Sequence, residues 1–101
     1  MHLIQLLLPL TDNDGRAFPD QFLAGIRDEL VDRFGGITAF LHAPAEGVWR
    51  QGGNRQRDDI VVIEVMTAAL DRPWWKAFRH RLERQLRQEE IVIRAIAFDP
   101  L

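Results

Sequence analysis

No cysteine occurs among the 101 residues, and that single absence removes disulfides, thiolate zinc sites, iron–sulfur clusters and thiol nucleophiles together. A strong net charge is missing too. Thirteen Lys and Arg stand against fifteen Asp and Glu, a net charge of -2, so nothing global draws the chain to nucleic acid or to an anionic membrane. A polyanion site would have to be a local patch. No apolar run approaches the roughly 20 residues that span a bilayer. The apolar start Leu3 to Leu10 has no basic segment before it, contains Gln5, and runs into acidic turn residues. It reads as a strand rather than a signal peptide, and a cytoplasmic location is expected. A phosphate-cradling glycine loop, a nucleophile elbow, a dinucleotide fingerprint and an internal repeat are all absent. His2, His42 and His80 sit on separate segments without metal-ligand spacing to one another or to Asp or Glu, so no metal or cofactor is expected.

What is present fits one domain over residues 1–101, since 47% of the chain is hydrophobic and a chain of this length builds a single core. The first strand ends near Leu10. A helix begins around Pro19, carries Phe22, Ile26, Leu30 and Phe34 at a spacing of four, and stops at Gly35-Gly36. Ile37 to Ala43 reads as a strand. Pro44 cannot donate to a ladder and assigns that strand to an edge or a bulge; strand character resumes at Val48-Trp49-Arg50. After the tip Gln51-Gly52-Gly53-Asn54 comes the most β-branched run, Asp58-Asp59-Ile60-Val61-Val62-Ile63-Glu64-Val65-Met66. Asp71 is a candidate N-cap for a second helix with Pro73 in its first turn and an apolar stripe of Trp75, Phe78, Leu82 and Leu86. Ile91 to Phe98 is the last strand.

The order strand, helix, strand, strand, helix, strand predicts a ferredoxin-like βαββαβ α+β domain, a four-stranded antiparallel sheet in the order 4-1-3-2 with both helices on one face. Alternation sends Ile4, Leu6, Leu8, Val61, Ile63, Val65, Ile91, Ile93 and Ala95 under the helices. The opposite face takes Gln5, Leu7, Ile60, Val62, Glu64, Met66, Val92, Arg94, Ile96 and Phe98. So apolar an open face calls for a cover, and a second copy of the chain is the expected one.

Glu64 is the one ionisable side chain inside the apolar run of its strand. The expected strand order brings Arg94, Gln5 and Glu64 into a row, with Gln5 bridging two opposite charges. That row is either the floor of a small-ligand pocket or an ion-pair network fixing a dimer interface, and the second is the commoner use of such groups. His42 could approach Glu64 as a base with a carboxylate orienter. Trp49 could line a pocket mouth, whereas Trp74 and Trp75 are expected in or beside the core. The candidate ligand contacts are therefore Gln5, His42, Trp49, Glu64 and Arg94. Arg72, Lys76, Arg79, Arg81, Arg84 and Arg87 make the second helix basic. With no stacking aromatics on the third strand, nucleic-acid binding is not expected, and this face reads as solvated.

Phe34-Gly35-Gly36-Ile37-Thr38, Gly47-Val48-Trp49-Arg50, Asp58 to Val65, Trp74-Trp75 and Arg87 to Arg94 together resemble a small bacterial ferredoxin-like family of unknown function. The resemblance implies a fold and carries over no catalytic residue. In size and element order the chain is also similar to dimeric α+β-barrel proteins, which include cofactor-free monooxygenases and small-molecule-binding stress proteins. The expectation is a homodimeric small-molecule-binding module. The alternatives are a cofactor-free enzyme of the α+β-barrel type using His42 or Glu64 as proton acceptor, and an adaptor that docks an acidic partner through its basic second helix.

Overall fold

A computed structural model describes the backbone of residues 1–51 and 54–101 and the side chains of residues 1–38 and 60–101. The elements run β1 (His2–Pro9), α1 (Asp20–Phe34), β2 (Thr38–Gln51), β3 (Asn54–Thr67), α2 (Arg72–Gln85) and β4 (Val92–Ala97). The strands lie side by side in the order β2-β3-β1-β4, and every pairing is antiparallel.

The expectation of a full four-stranded ferredoxin-like sheet needs correction. The body of the sheet is three antiparallel strands, β3-β1-β4, with β1 in the middle. β1 pairs along its whole length with β3, from His2 opposite Thr67 to Pro9 opposite Ile60, and with β4 from His2 opposite Ala97 to Leu7 opposite Val92. β2 joins this body through Thr38, Ala39 and Phe40, which face Glu64, Ile63 and Val62; the register then shifts before Ala45 meets Ile60. Pro44 falls in that shift, where its missing N–H costs no regular ladder bond. From Glu46 onward β2 pairs with residues of β3 that lie past the end of β1. The cause is one of length: β2 and β3 have 14 residues each, β1 has 8 and β4 has 6. The α+β class is unchanged.

Both helices form where the sequence offers start and stop signals. α1 has Pro19 at its N-cap and Asp20 in its first turn, and it ends at Gly35 in the left-handed region with φ 82°. A Cβ at Gly35 would meet nothing within 4 Å, so Gly35→Ala should cost only the backbone term, about 1 kcal/mol. Thermal unfolding should show a midpoint lowered by about 4–8 °C, while Gly36→Ala, at an ordinary φ in open space, should leave it in place. α2 is capped by Asp71, whose carboxylate accepts from the Trp74 backbone N–H at 3.2 Å. Asp71→Ala should lower stability by about 1 kcal/mol through the lost cap, measured by denaturant unfolding. The Arg33–Asp71 ion pair lost with it, at 3.5 Å and roughly half exposed, adds little.

One face of the three-stranded body is the core. Ile4, Leu6 and Leu8 alternate with Val61, Ile63 and Val65, all at or near zero exposure, and Ile26, Leu30, Trp75, Phe78, Leu82, Leu86 and Ile91 close over them. The helices are locked by aromatic contacts. Phe34 of α1 stacks on Trp75 at 5.2 Å and meets Trp74 edge-on at 5.4 Å, and Trp74 in turn stacks on Phe78 at 5.0 Å. One residue of the expected α1 stripe behaves differently: Ile26 and Leu30 are buried, but Phe22 is 41% exposed and packs edge-on against Phe18. Leu23 and Phe34 pack against the core on either side of Ile26 and Leu30, so the contact of α1 begins past Phe22.

Candidate functional site

The sheet face turned away from the helices is organised in rows, because residues paired across antiparallel strands stand side by side on one face. Leu3 lies between Ile96 and Met66, Gln5 between Arg94 and Glu64, and Leu7 between Val92 and Val62. A polar row is thus flanked by two apolar ones. Met66, Val92 and Ile96 are large apolar residues at 60%, 44% and 45% exposure, which makes the face a broad, uncovered apolar surface on this chain.

Within the polar row the side chains are hydrogen-bonded in sequence. Arg94 Nε donates to Gln5 Oε1 at 2.6 Å, and Gln5 Nε2 donates to Glu64 Oε2 at 2.8 Å. A side-chain amide is suited to this place because it offers an acceptor to the cation at one end and donors to the carboxylate at the other. The row is polarised, with positive charge over β4 and negative charge over β3. Thr38, opposite Glu64, extends it by one position. Glu64 and Gln5 are half-buried and Arg94 is exposed, so the outer faces of all three remain open to a ligand or a second surface.

Three of the five candidate residues, Gln5, Glu64 and Arg94, are therefore in direct contact. His42 lies on β2 between Phe40 and Ala45, where the register shifts, and Trp49 pairs with Gln56. The side chains of both lie outside the described residues, and with them the expected approach of His42 to Glu64. Among the described residues no group of three or more His, Cys, Asp and Glu is placed to hold a metal ion, and no helix is long and apolar enough to cross a membrane.

A second feature was missed in the sequence. Between α2 and β4 lies a cleft of about 160 Å³ lined by Arg72, Lys76, Arg79 and Arg94 around Trp75 and Ile93. The signal was there, since Arg72, Lys76 and Arg79 recur at steps of four and three and share one helix face. It was hidden because the basic residues of α2 were read as one solvated set. They divide: Arg81 Nη2 holds Glu29 of α1 at 2.5 and 2.6 Å, whereas the three named above face β4.

The chain is similar in fold to a phage SAM lyase. The apo lyase superposes with a TM-score of 0.64 at 13% identity, covering 94% of this chain and 78% of the lyase. The lyase in complex with S-methyl-5'-thioadenosine gives a TM-score of 0.62 at 14% identity, with 94% and 79% covered. At such identities the likeness is one of fold, and a fold hosts many functions. No protein-family model and no curated protein sequence matches the chain, so the resemblance to a small bacterial ferredoxin-like family gains no support beyond the shared α+β class.

Proposed function

We propose that this protein binds a small organic molecule and acts as a homodimer whose two copies meet over their open sheet faces. The observation that carries this reading is the polarised row Arg94–Gln5–Glu64 set between two apolar rows. Closed two-fold pairs dominate soluble oligomers, and two two-fold axes suit sheets packed in alignment. An axis along the row would set Arg94 against Arg94 and Glu64 against Glu64, with like charges facing. An axis parallel to β1 through Gln5 sets Arg94 opposite Glu64 of the partner subunit, Gln5 opposite itself, and the apolar rows on their own copies. Charge therefore selects the second. The six polar groups then line a central chamber with apolar walls, the composition of a ligand pocket, and Gln5, Glu64 and Arg94 are its ligand contacts.

The complex of the phage lyase with S-methyl-5'-thioadenosine supports a small-molecule role for this fold and favours one further reading, an enzyme in which Glu64 accepts a proton. Native mass spectrometry of protein purified without added ligand tests the binding reading: a dimer should carry a defined extra mass that Gln5→Leu, which removes the bridge, reduces. Retention of that mass at full occupancy in Gln5→Leu would contradict the placement on the sheet face. Once the compound is known, Glu64→Gln should keep affinity and lose turnover if the protein is an enzyme.

A further inference from the structure

We infer that the cleft between α2 and β4 is a binding site for a small organic anion, a carboxylate or phosphate head on a short apolar body. The inference deepens the small-molecule reading above and does not depend on where two copies of the chain meet.

Three cations of α2, Arg72, Lys76 and Arg79, line this cleft, Arg94 stands at its β4 edge with its Nε turned to Gln5, and among the described residues no acid lines it. Among the described residues none of Arg72, Lys76 and Arg79 has a carboxylate partner; the ion pairs found there use Arg33, His80 and Arg81. Cations held together in this way repel one another until an anion joins them. The unmatched hydrogen-bond donors are an independent observation. Trp75 is 6% exposed, and its indole Nε1 is buried with no partner among the described residues, as is Nε of Arg79. Both residues line the cleft. Buried donors are nearly always paired in folded proteins, and an anion seated here would accept from both while the guanidinium and ammonium groups balance its charge. Arg81 Nε is also unpaired, but that side chain is already committed to Glu29 and lies off the cleft.

Size and lining narrow the class. A volume of about 160 Å³ falls well below the roughly 300–1,000 Å³ of pockets that enclose drug-sized ligands, so a whole nucleotide does not fit within it. Trp75, Ile93 and Leu70 offer an apolar wall beside the cations, which suits an aryl or short alkyl body better than bare inorganic phosphate.

The test is a titration of the full-length protein with phenyl phosphate, benzoate and neutral benzamide, followed by the indole N–H resonances in a proton–nitrogen correlation spectrum. Trp75 is assigned by comparison with Trp49→Phe and Trp74→Phe. Phenyl phosphate or benzoate should shift the Trp75 indole resonance saturably, and the tighter of the two names the head group; benzamide should not shift it. Lys76→Gln and Arg79→Gln should each weaken binding by about tenfold, the worth of one charge-assisted hydrogen bond, with thermal midpoints near that of the parent. Arg84→Gln, which removes one charge elsewhere on α2, should bind as the parent does. Equal response to benzamide, or unchanged affinity in both cleft variants, would overturn the site. Backbone amide shifts in the same spectrum confined to Gln5, Leu7 and Glu64, with the Trp75 indole unmoved, would overturn it too, while leaving the sheet-face reading intact.

Discussion

Glu64→Lys should turn the proposed dimer into an 11.7 kDa monomer. In the proposed two-fold arrangement each copy of Glu64 faces Arg94 of the partner subunit, so the substitution creates two like-charge contacts at once. A like-charge contact at an interface costs several kcal/mol, and since about 1.4 kcal/mol is a factor of ten, the dissociation constant should rise at least about a thousandfold. The fold itself should survive. Glu64 is half-buried on the open face, away from the core, and Lys at this position still finds solvent at the end of its chain. Sedimentation equilibrium across a range of concentrations measures the change, and circular dichroism checks that the variant is folded. Glu64→Gln, which removes charge without reversing it, should weaken the dimer less.

The largest loss of stability is expected from Phe78→Ala. Phe78 is 3% exposed, lies against Trp74 at 5.0 Å and meets Trp75 edge-on at 5.8 Å, so its removal empties the centre of the contact by which α2 covers the sheet. Phe→Ala in a core costs about 3–5 kcal/mol, a large share of the roughly 5–15 kcal/mol that holds a small domain together. The unfolding midpoint should fall by about 15 °C or more, measured at one fixed protein concentration because the proposed dimerisation would contribute to it. Phe22→Ala is the contrast. At 41% exposure, with Phe18 as its aromatic neighbour, it should cost under about 1 kcal/mol.

What could be read in the sequence was whatever depends on period and on local chemistry. The alternation of Ile4, Leu6 and Leu8 against Gln5 and Leu7 divides β1 correctly between its two faces, and the same holds for Val61, Ile63 and Val65 against Val62 and Glu64. Gly35 ends α1 and Asp71 caps α2 for reasons contained in a few residues. Strand length was harder. Pro44 and Gly47 suggested interruptions, but the number of residues β2 pairs past the end of β1 depends on a partner strand that no local pattern specifies. The row of Arg94, Gln5 and Glu64 followed from faces and strand order together, whereas its hydrogen bonds depend on which way an amide turns. The cleft escaped for a different reason. Arg72, Lys76 and Arg79 look like any exposed basic face until β4 is laid beside them, and a neighbour on another element leaves no mark on helical spacing.

The central claim is that two copies meet with Arg94 of each opposite Glu64 of the other, and mixing two charge-reversed variants tests it most directly. Glu64→Lys and Arg94→Glu should each be monomeric alone, the first facing cation with cation and the second facing anion with anion. Combined in equal amounts, both cross-contacts become attractive, and sedimentation should show a one-to-one heterodimer of twice the 11.7 kDa chain mass that strong salt weakens. Variants that dimerise on their own, or a mixture that stays monomeric, would contradict the arrangement.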